Sequence, residues 1–308
     1  MIKAAIDVGS NSVLLLVEAR EDIGWRVVTE QSWVTALGSG VKQTGRIQDE
    51  PMEATLRALR EAYAMAREAG AVEVVAAATM AARIAENTPS FLERAERQGT
   101  PVFVLSGEDE AELGFRAVAN DPAFAAHPRI SIIDPGGNST ELVTAEREAS
   151  GWRTLFRKSF PVGTLGLRDG PLAEERPTPQ QRLRAAAEID RVIGMDYRPH
   201  EAGHAVVLGA TGTNLITIRD RITEWDPARV HGQILDFEEV SRAVGWLCDM
   251  TDAERAAIPG LERGREKTIH IGALVLERFL HAIHVLGCSV SVRGWRHALL
   301  EEGLPAKR

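Results

Sequence analysis

The sequence predicts an α/β protein of about two domains. Three observations carry this. The chain has 308 residues, at roughly 150 residues per domain. A strand–turn–strand motif occurs twice. Between and after its copies, short apolar runs alternate with helical patterns, the order expected of layered α/β domains.

The duplication is read directly. Ile6-Asp7-Val8-Gly9-Ser10-Asn11-Ser12-Val13-Leu14-Leu15 is echoed by Ile133-Asp134-Pro135-Gly136-Gly137-Asn138-Ser139-Thr140-Glu141-Leu142 at a constant offset, 134 − 7 = 127. Ile, Asp, Gly, Asn, Ser and Leu recur in register, more than chance supplies in ten positions. In each copy, residues 3–8 and 13–17, or 130–134 and 139–144, are β-branched and apolar enough for strands. The Gly-Ser-Asn-Ser and Gly-Gly-Asn-Ser turns between them suit residues that accept positive φ. Such turns offer backbone N–H groups beside Ser and Asn side chains, a concave anion site.

The remaining elements follow in order. Residues 52–69 form an Ala-rich helix and 73–78 a short buried strand. Residues 88–98 form a helix opened by Pro89, 102–105 a strand, and Ser106 caps a helix running to about residue 120. A linker is expected at 121–128, where Asp-Pro and His-Pro dipeptides mark turns. Further helices are expected at 179–193, 237–248, 263–286 and 295–302, with strands at 205–208 and 290–292.

Composition excludes several classes. Apolar residues make up 44% and charged residues 26%, so the chain is neither disordered nor collagen-like. No run reaches about 18 apolar residues, so no membrane span or membrane partner is expected. No signal peptide is read at the start. The net charge, 36 − 44 = −8, argues against nucleic acid as partner, although a local cluster can still bind a polyanion. Cys248 and Cys288 fit no metal spacing and point to a reducing, cytoplasmic setting. The chain has no P-loop signature, and Gly38-Ser39-Gly40 lacks a dinucleotide-binding context.

Several residues carry candidate chemistry. Asp7 and Asp134 each end a strand before a turn, as Asx-turn residues or as ligands to a cation that accompanies phosphate. Glu141 stands where the first copy has Leu14, so the hairpin does not require a carboxylate there. A charge in a strand is costly to bury unless paired or metal-bound. Glu110 borders the apolar face of its helix with Leu113, Gly114 and Ala117; a raised pKa there would suit a general base. Arg83 follows a buried strand and is placed to hold phosphate. Gly209, Gly212 and Thr213 lie where a strand enters a helix, an N-terminal anion position or an ordinary capped turn. Arg153, Arg157 and Lys158 read as a solvated strand face more readily than as a polyanion groove.

Together, AAIDVGSNSVLLLV, ATMAAR, LSGEDEAELGF, IIDPGGNSTELV, VVLGATGTNL and VSVRGWRHALLEEGL resemble the exopolyphosphatase/guanosine pentaphosphate phosphatase family of the actin–hexokinase–Hsp70 superfamily. The segments run in order through nearly the whole chain. The spacing of SG-x-x-E and D-x-GG-x-ST-E, 134 − 110 = 24 residues, is specific. The resemblance implies two ribonuclease H-like domains with a cleft between them, placed at 1–124 and 125–308, with a terminal helix at about 293–308 able to pack back on the first. It implies a catalytic base at Glu110, with Glu141 and Asp134 near metal and attacking water. Phosphates would be held by Gly9, Ser10, Asn11 and Ser12, by Gly136, Gly137, Asn138 and Ser139, by Arg83, and by the Gly209, Gly212 and Thr213 segment. Asp7, Asp134 and Glu141 would hold Mg²⁺ or Mn²⁺. Pro135 and Asn138 depart from the family's usual residues, but Asn11 occupies the equivalent place in the first copy. The added helical domain of longer members is absent from this sequence. The implied activity is release of terminal phosphate from inorganic polyphosphate. The alternatives are a guanosine pentaphosphate phosphatase of the stringent response, an ATP phosphotransferase, and a non-catalytic polyphosphate or alarmone sensor. A homodimer is left open.

Overall fold

The computed structural model describes residues 1–22, 24–194 and 202–304. In chain order it contains strands β1 (Ile2–Val8), β2 (Ser12–Glu21) and β3 (Gly24–Val34), helix α1 (Asp49–Glu68), β4 (Glu73–Ala78), α2 (Thr88–Arg97), β5 (Phe103–Val104) and α3 (Gly107–Ala119). Then come β6 (Arg129–Pro135), β7 (Thr140–Glu148), β8 (Gly151–Phe160), α4 (Pro179–Ile193), β9 (His204–Val207), α5 (Gly209–Arg219), β10 (Ile234–Asp236), α6 (Phe237–Cys248), α7 (Ile269–Ala282), β11 (Gly287–Val290) and α8 (Trp295–Glu302). Shorter helices lie between them. The chain divides into two compact units, residues 1–113 with 295–308, and residues 114–294. Residues 305–308 of the expected terminal helix lie outside the described residues.

The first unit holds a five-stranded sheet ordered β3-β2-β1-β4-β5, with β1–β2–β3 antiparallel and β4 parallel to β1. The second holds a six-stranded sheet ordered β10-β11-β9-β6-β7-β8, with the same antiparallel triplet and β9 parallel to β6. Mixed sheets of this kind need helices on their faces to cover parallel neighbours. In the first unit the alternating residues Ile6, Val13 and Leu15 pack with Leu56, Leu59 and Phe91. In the second, Ile133, Leu142 and Phe160 pack with Ile189, Leu274 and Phe279.

The repeat extends well past the ten residues that reveal it. β6 begins and ends 127 residues after β1, since 2 + 127 = 129 and 8 + 127 = 135. The β2–β3 ladder has a bulge at Val17/Glu18 and the β7–β8 ladder at Thr144/Ala145, again 17 + 127 = 144. Third strands open on Gly24-Trp25-Arg26 and Gly151-Trp152-Arg153. From the sequence only a solvated strand face at Arg153, Arg157 and Lys158 is read here and neither third strand is delimited, although the repeated Gly-Trp-Arg marks both.

Two other expectations shift. Residues 263–286 do not form one helix; α7 occupies only Ile269–Ala282, and residues 263–268 turn onto it. The last strand is Gly287–Val290 rather than 290–292, because it pairs with β9 through Ser289 and Val290 and with β10 through residues 287–289.

After each third strand the chain straps the hairpin. In the first unit the N–H groups of Thr35 and Ala36 donate to the Asn11 carbonyl at 3.0 and 2.9 Å, and that of Gly38 to the Ser10 carbonyl at 2.7 Å. In the second, Thr164 donates to Gly136 at 3.0 Å and Leu165 to Gly137 at 2.7 Å. Gly163 lies so close that a Cβ there would stand 2.6 Å from the Gly137 carbonyl oxygen and 2.7 Å from that of Gly136.

The second unit also buries charge. Arg255 is fully buried and donates to the carbonyls of Glu175, Leu247 and Met250 at 3.0, 2.8 and 2.6 Å. Neighbouring His270 is 2% exposed, and neither ring nitrogen has a hydrogen-bond partner among the described residues. Burial, and then the Arg255 charge, push its imidazole down to about 3. Cys248 and Cys288 are free and buried, and burial raises their thiols to about 11 and about 12, which keeps them protonated at neutral pH. Among the described residues no helix is long and apolar enough to cross a membrane.

Two outcomes are expected. Gly163→Ala should lower stability by about 1–3 kcal/mol through overpacking against backbone that cannot yield. Gly245→Ala, with open space at its Cβ, should be neutral or stabilising because alanine favours a helix interior; equal melting temperatures for the two variants would contradict the strap. For His270, the unfolded imidazole takes a proton near 6.5 while the folded one resists until about 3, so the unfolded state binds more protons in that window and stability falls as pH drops through it. At pH 5 this costs about 2 kcal/mol. His270→Leu should therefore show a shallower loss of melting temperature between pH 7 and 5 than the parent; parallel slopes would contradict it.

Candidate active site

The two hairpins are built alike. In each, the first turn residue closes the turn: Gly9 N–H donates to the Ser12 carbonyl and Gly136 N–H to the Ser139 carbonyl, both at 2.9 Å. Positive φ is not what these turns need, since none of residues 9–12 or 136–139 adopts it. Glycine is needed for space. A Cβ on Gly9 would stand 3.1 Å from the Ser12 carbonyl oxygen, and one on Gly136 2.9 Å from that of Ser139. Ser10, Asn11 and Ser12 are buried, as are Asn138 and Ser139. The Ser12 hydroxyl is buried with no hydrogen-bond partner among the described residues, a donor available to an anion that reaches the turn.

Register explains the two aspartates. Asp7 lies opposite Leu14 across the β1–β2 ladder, and Asp134 opposite Glu141 across β6–β7. Opposed residues share one face of the sheet. The second unit thus has two carboxylates where the first has one carboxylate and a leucine. Glu141 is 5% exposed, and the Ser159 hydroxyl on β8 donates to its Oε1 at 2.6 Å. Gly209, with φ of +74°, starts α5 so close to Asp134 that a Cβ would stand 3.1 Å from Oδ1. The Asp134 carboxylate therefore sits beside a helix N-terminus, a favourable place for negative charge.

In the first unit, Ser106 caps α3 through the Asp109 N–H at 3.0 Å. One turn in, Glu110 meets Arg83, which reaches it from the short helix Met80–Ile84. Arg83 Nη1 donates to Glu110 Oε2 at 2.7 Å and to the Leu105 carbonyl at 2.9 Å. The Arg83 and Glu110 side chains are 17% and 12% exposed. Glu110 is thus not on a purely apolar border.

Other candidates have local duties. Gly212 packs on β9, where a Cβ would stand 2.6 Å from Val207 Cγ1, and the Thr213 hydroxyl donates to the Ala210 carbonyl at 3.3 Å. Arg153 pairs with Glu146 and Glu148 on the exposed face of β8. Among the described residues, no three His, Cys, Asp or Glu side chains converge as a cation site. The strap residues Gly163 and Thr164 were not singled out from sequence; following the repeat to Ala36 at 163 − 127 = 36 finds them.

The profile of the Ppx/GppA phosphatase family matches residues 16–307. Exopolyphosphatase 2 of Mycobacterium tuberculosis is 30% identical over 290 residues, covering 89% of this chain and 88% of the relative. The crystal structure of the Aquifex aeolicus Ppx/GppA family member superposes with a TM-score of 0.78 at 29% identity, covering 97% of this chain and 96% of that one. An exopolyphosphatase-like protein of known structure gives 0.89 at 25% identity, covering 98% and 97%. With its duplicated hairpins and paired triplet sheets, the chain belongs to the Ppx/GppA phosphatase family, and its fold is that family's actin-like one.

Proposed function

We propose that this protein is an exopolyphosphatase that releases terminal phosphate from inorganic polyphosphate with the aid of Mg²⁺ or Mn²⁺. The observation that carries the reading is the contact between Glu110 and Arg83 at 2.7 Å. A terminal phosphoryl group taken by Arg83 would lie beside a carboxylate placed to activate a water against it. The name of the 30% identical relative, an exopolyphosphatase, supports polyphosphate as the substrate over guanosine pentaphosphate.

Proton and bond changes balance simply. A water attacks the terminal phosphorus in line as Glu110 takes its proton. The bond from that phosphorus to the bridging oxygen breaks, and the shortened chain leaves with the bridging oxygen. Arg83 meets the charge on the equatorial oxygens. The Ser12 hydroxyl and the turn at residues 9–12 would hold phosphate in the first unit, and the turn at residues 136–139 offers the same kind of N–H groups in the second.

In the second unit Asp134 and Glu141 would hold a cation, and in the first unit Asp7 would receive one at its hairpin. The donor set fits a hard ion, being carboxylate oxygen throughout, with Asp134 and Glu141 opposed in register. Two carboxylates short of a full cage suit Mg²⁺, which completes its shell with phosphate oxygens and water. When bound, the ion neutralises phosphate charge and polarises the phosphoryl oxygens.

Glu110→Gln should lower kcat at least a hundredfold, the scale of general-base loss, with KM for polyphosphate little changed; wild-type turnover would remove Glu110 from the reaction. Glu141→Gln is preferred to leucine, because the amide oxygen still accepts from Ser159 whereas leucine orphans that hydroxyl. It should keep the parent melting temperature while the Mn²⁺ concentration for half-maximal phosphate release rises severalfold; early melting with an unchanged metal response would make Glu141 structural. On one preparation, kcat/KM for polyphosphate should exceed that for guanosine pentaphosphate, and the reverse order would transfer the activity to the nucleotide.

A further inference from the structure

The terminal helix α8 packs on β1 and β2. It buries Trp295, Ala298, Leu299 and Leu300. Strand periodicity puts Asp7 on the same face of β1 as Ala5, and the face with Ala4, Ile6 and Val8 turns to the core of the first unit. Asp7 is thereby carried toward α8. Trp295 is 4% exposed, and its indole Nε1 donates to Asp7 Oδ2 at 3.1 Å. The other oxygen, Oδ1, faces the turn: a Cβ on Gly9 would stand 3.6 Å from it.

We propose that Trp295 is a positioning residue for Asp7. Its N–H holds Oδ2, sets the carboxylate rotamer and aims Oδ1 at the Gly9–Ser12 turn, where the cation that accompanies phosphate is received. The inference rests on the reading of Asp7 as a cation-side carboxylate. Two features suit the role. An indole is a donor only and is held by two stiff torsions in a packed site. It also brings no charge, so it orients the carboxylate without competing with a cation, as an arginine or lysine would. The adjacent cation, Arg296, is directed away, toward Glu30 of β3 at 3.9 Å. A residue that opens the last described helix thus acts on a strand-end carboxylate 288 positions away.

The test compares Trp295→Phe, which keeps most of the aromatic bulk and loses the donor, with Asp7→Asn, the double variant and Leu299→Ala, a packing control on the same helix. Mn²⁺ binding to the protein alone is read by electron paramagnetic resonance of the free ion, beside phosphate release and melting temperature. Trp295→Phe should weaken Mn²⁺ binding about threefold to tenfold, with kcat at saturating Mn²⁺ within twofold of the parent, and should add nothing in the Asp7→Asn background. Leu299→Ala should lower the melting temperature without moving Mn²⁺ affinity. If Asp7→Asn weakens Mn²⁺ binding while Trp295→Phe does not, or if Leu299→Ala weakens it as much as Trp295→Phe, the positioning role is overturned and the reading of Asp7 stands. If the parent binds no Mn²⁺, or Asp7→Asn binds it as the parent does, the reading of Asp7 fails and takes the proposal with it.

Discussion

Each sheet is organised around a turn closed by one backbone hydrogen bond, Gly9 to Ser12 in one unit and Gly136 to Ser139 in the other. That bond sets the register of the ladder behind it. Register then determines what opposes the strand-end aspartate, because a slip of one residue would send every side chain to the other face. The straps after the third strands bond to the turn carbonyls from outside, so the turn is held on both sides. A turn fixed in this way can present N–H and hydroxyl groups to an anion without paying to order them at each binding event.

The two copies use the same backbone for different electrostatics. Where the first unit sets Leu14 opposite Asp7, the second sets Glu141 opposite Asp134. A hairpin that tolerates leucine gains no stability from a buried glutamate, and a second carboxylate nearby raises the cost. Ser159 and the N-terminus of α5 beside Asp134 offset part of it. The buried Arg255 is a contrasting case. Its donors are met by backbone carbonyls and by the Asp252 carboxylate, so its charge serves packing of the second unit, and His270 beside it is held neutral by burial and then by that charge.

Glu110 and Arg83 show how local structure assembles chemistry inside the first unit. Ser106 starts α3, the helical repeat places Glu110 one turn in, and the short helix after β4 brings Arg83 to it. Neither residue depends on a flexible loop, which favours a fixed distance between this carboxylate and this guanidinium.

Much of this was legible in the chain itself. The offset of 127 residues determined the two hairpins, the aspartates at their strand ends and the contrast between Leu14 and Glu141, because a duplicated fold keeps one period. The cap at Ser106 placed Glu110, because capping is local. The repeat also contained the third strands, in Gly-Trp-Arg at both 24–26 and 151–153, though exposed edge strands with mixed polarity lack the alternation that announces them. Only the tertiary structure decided three matters. Arg83 bonds Glu110 across 27 residues and Trp295 bonds Asp7 across 288, and no periodicity encodes contacts at such separations. The hairpin glycines proved to be required by close approach rather than by positive φ, since steric room depends on what the rest of the chain packs against the turn.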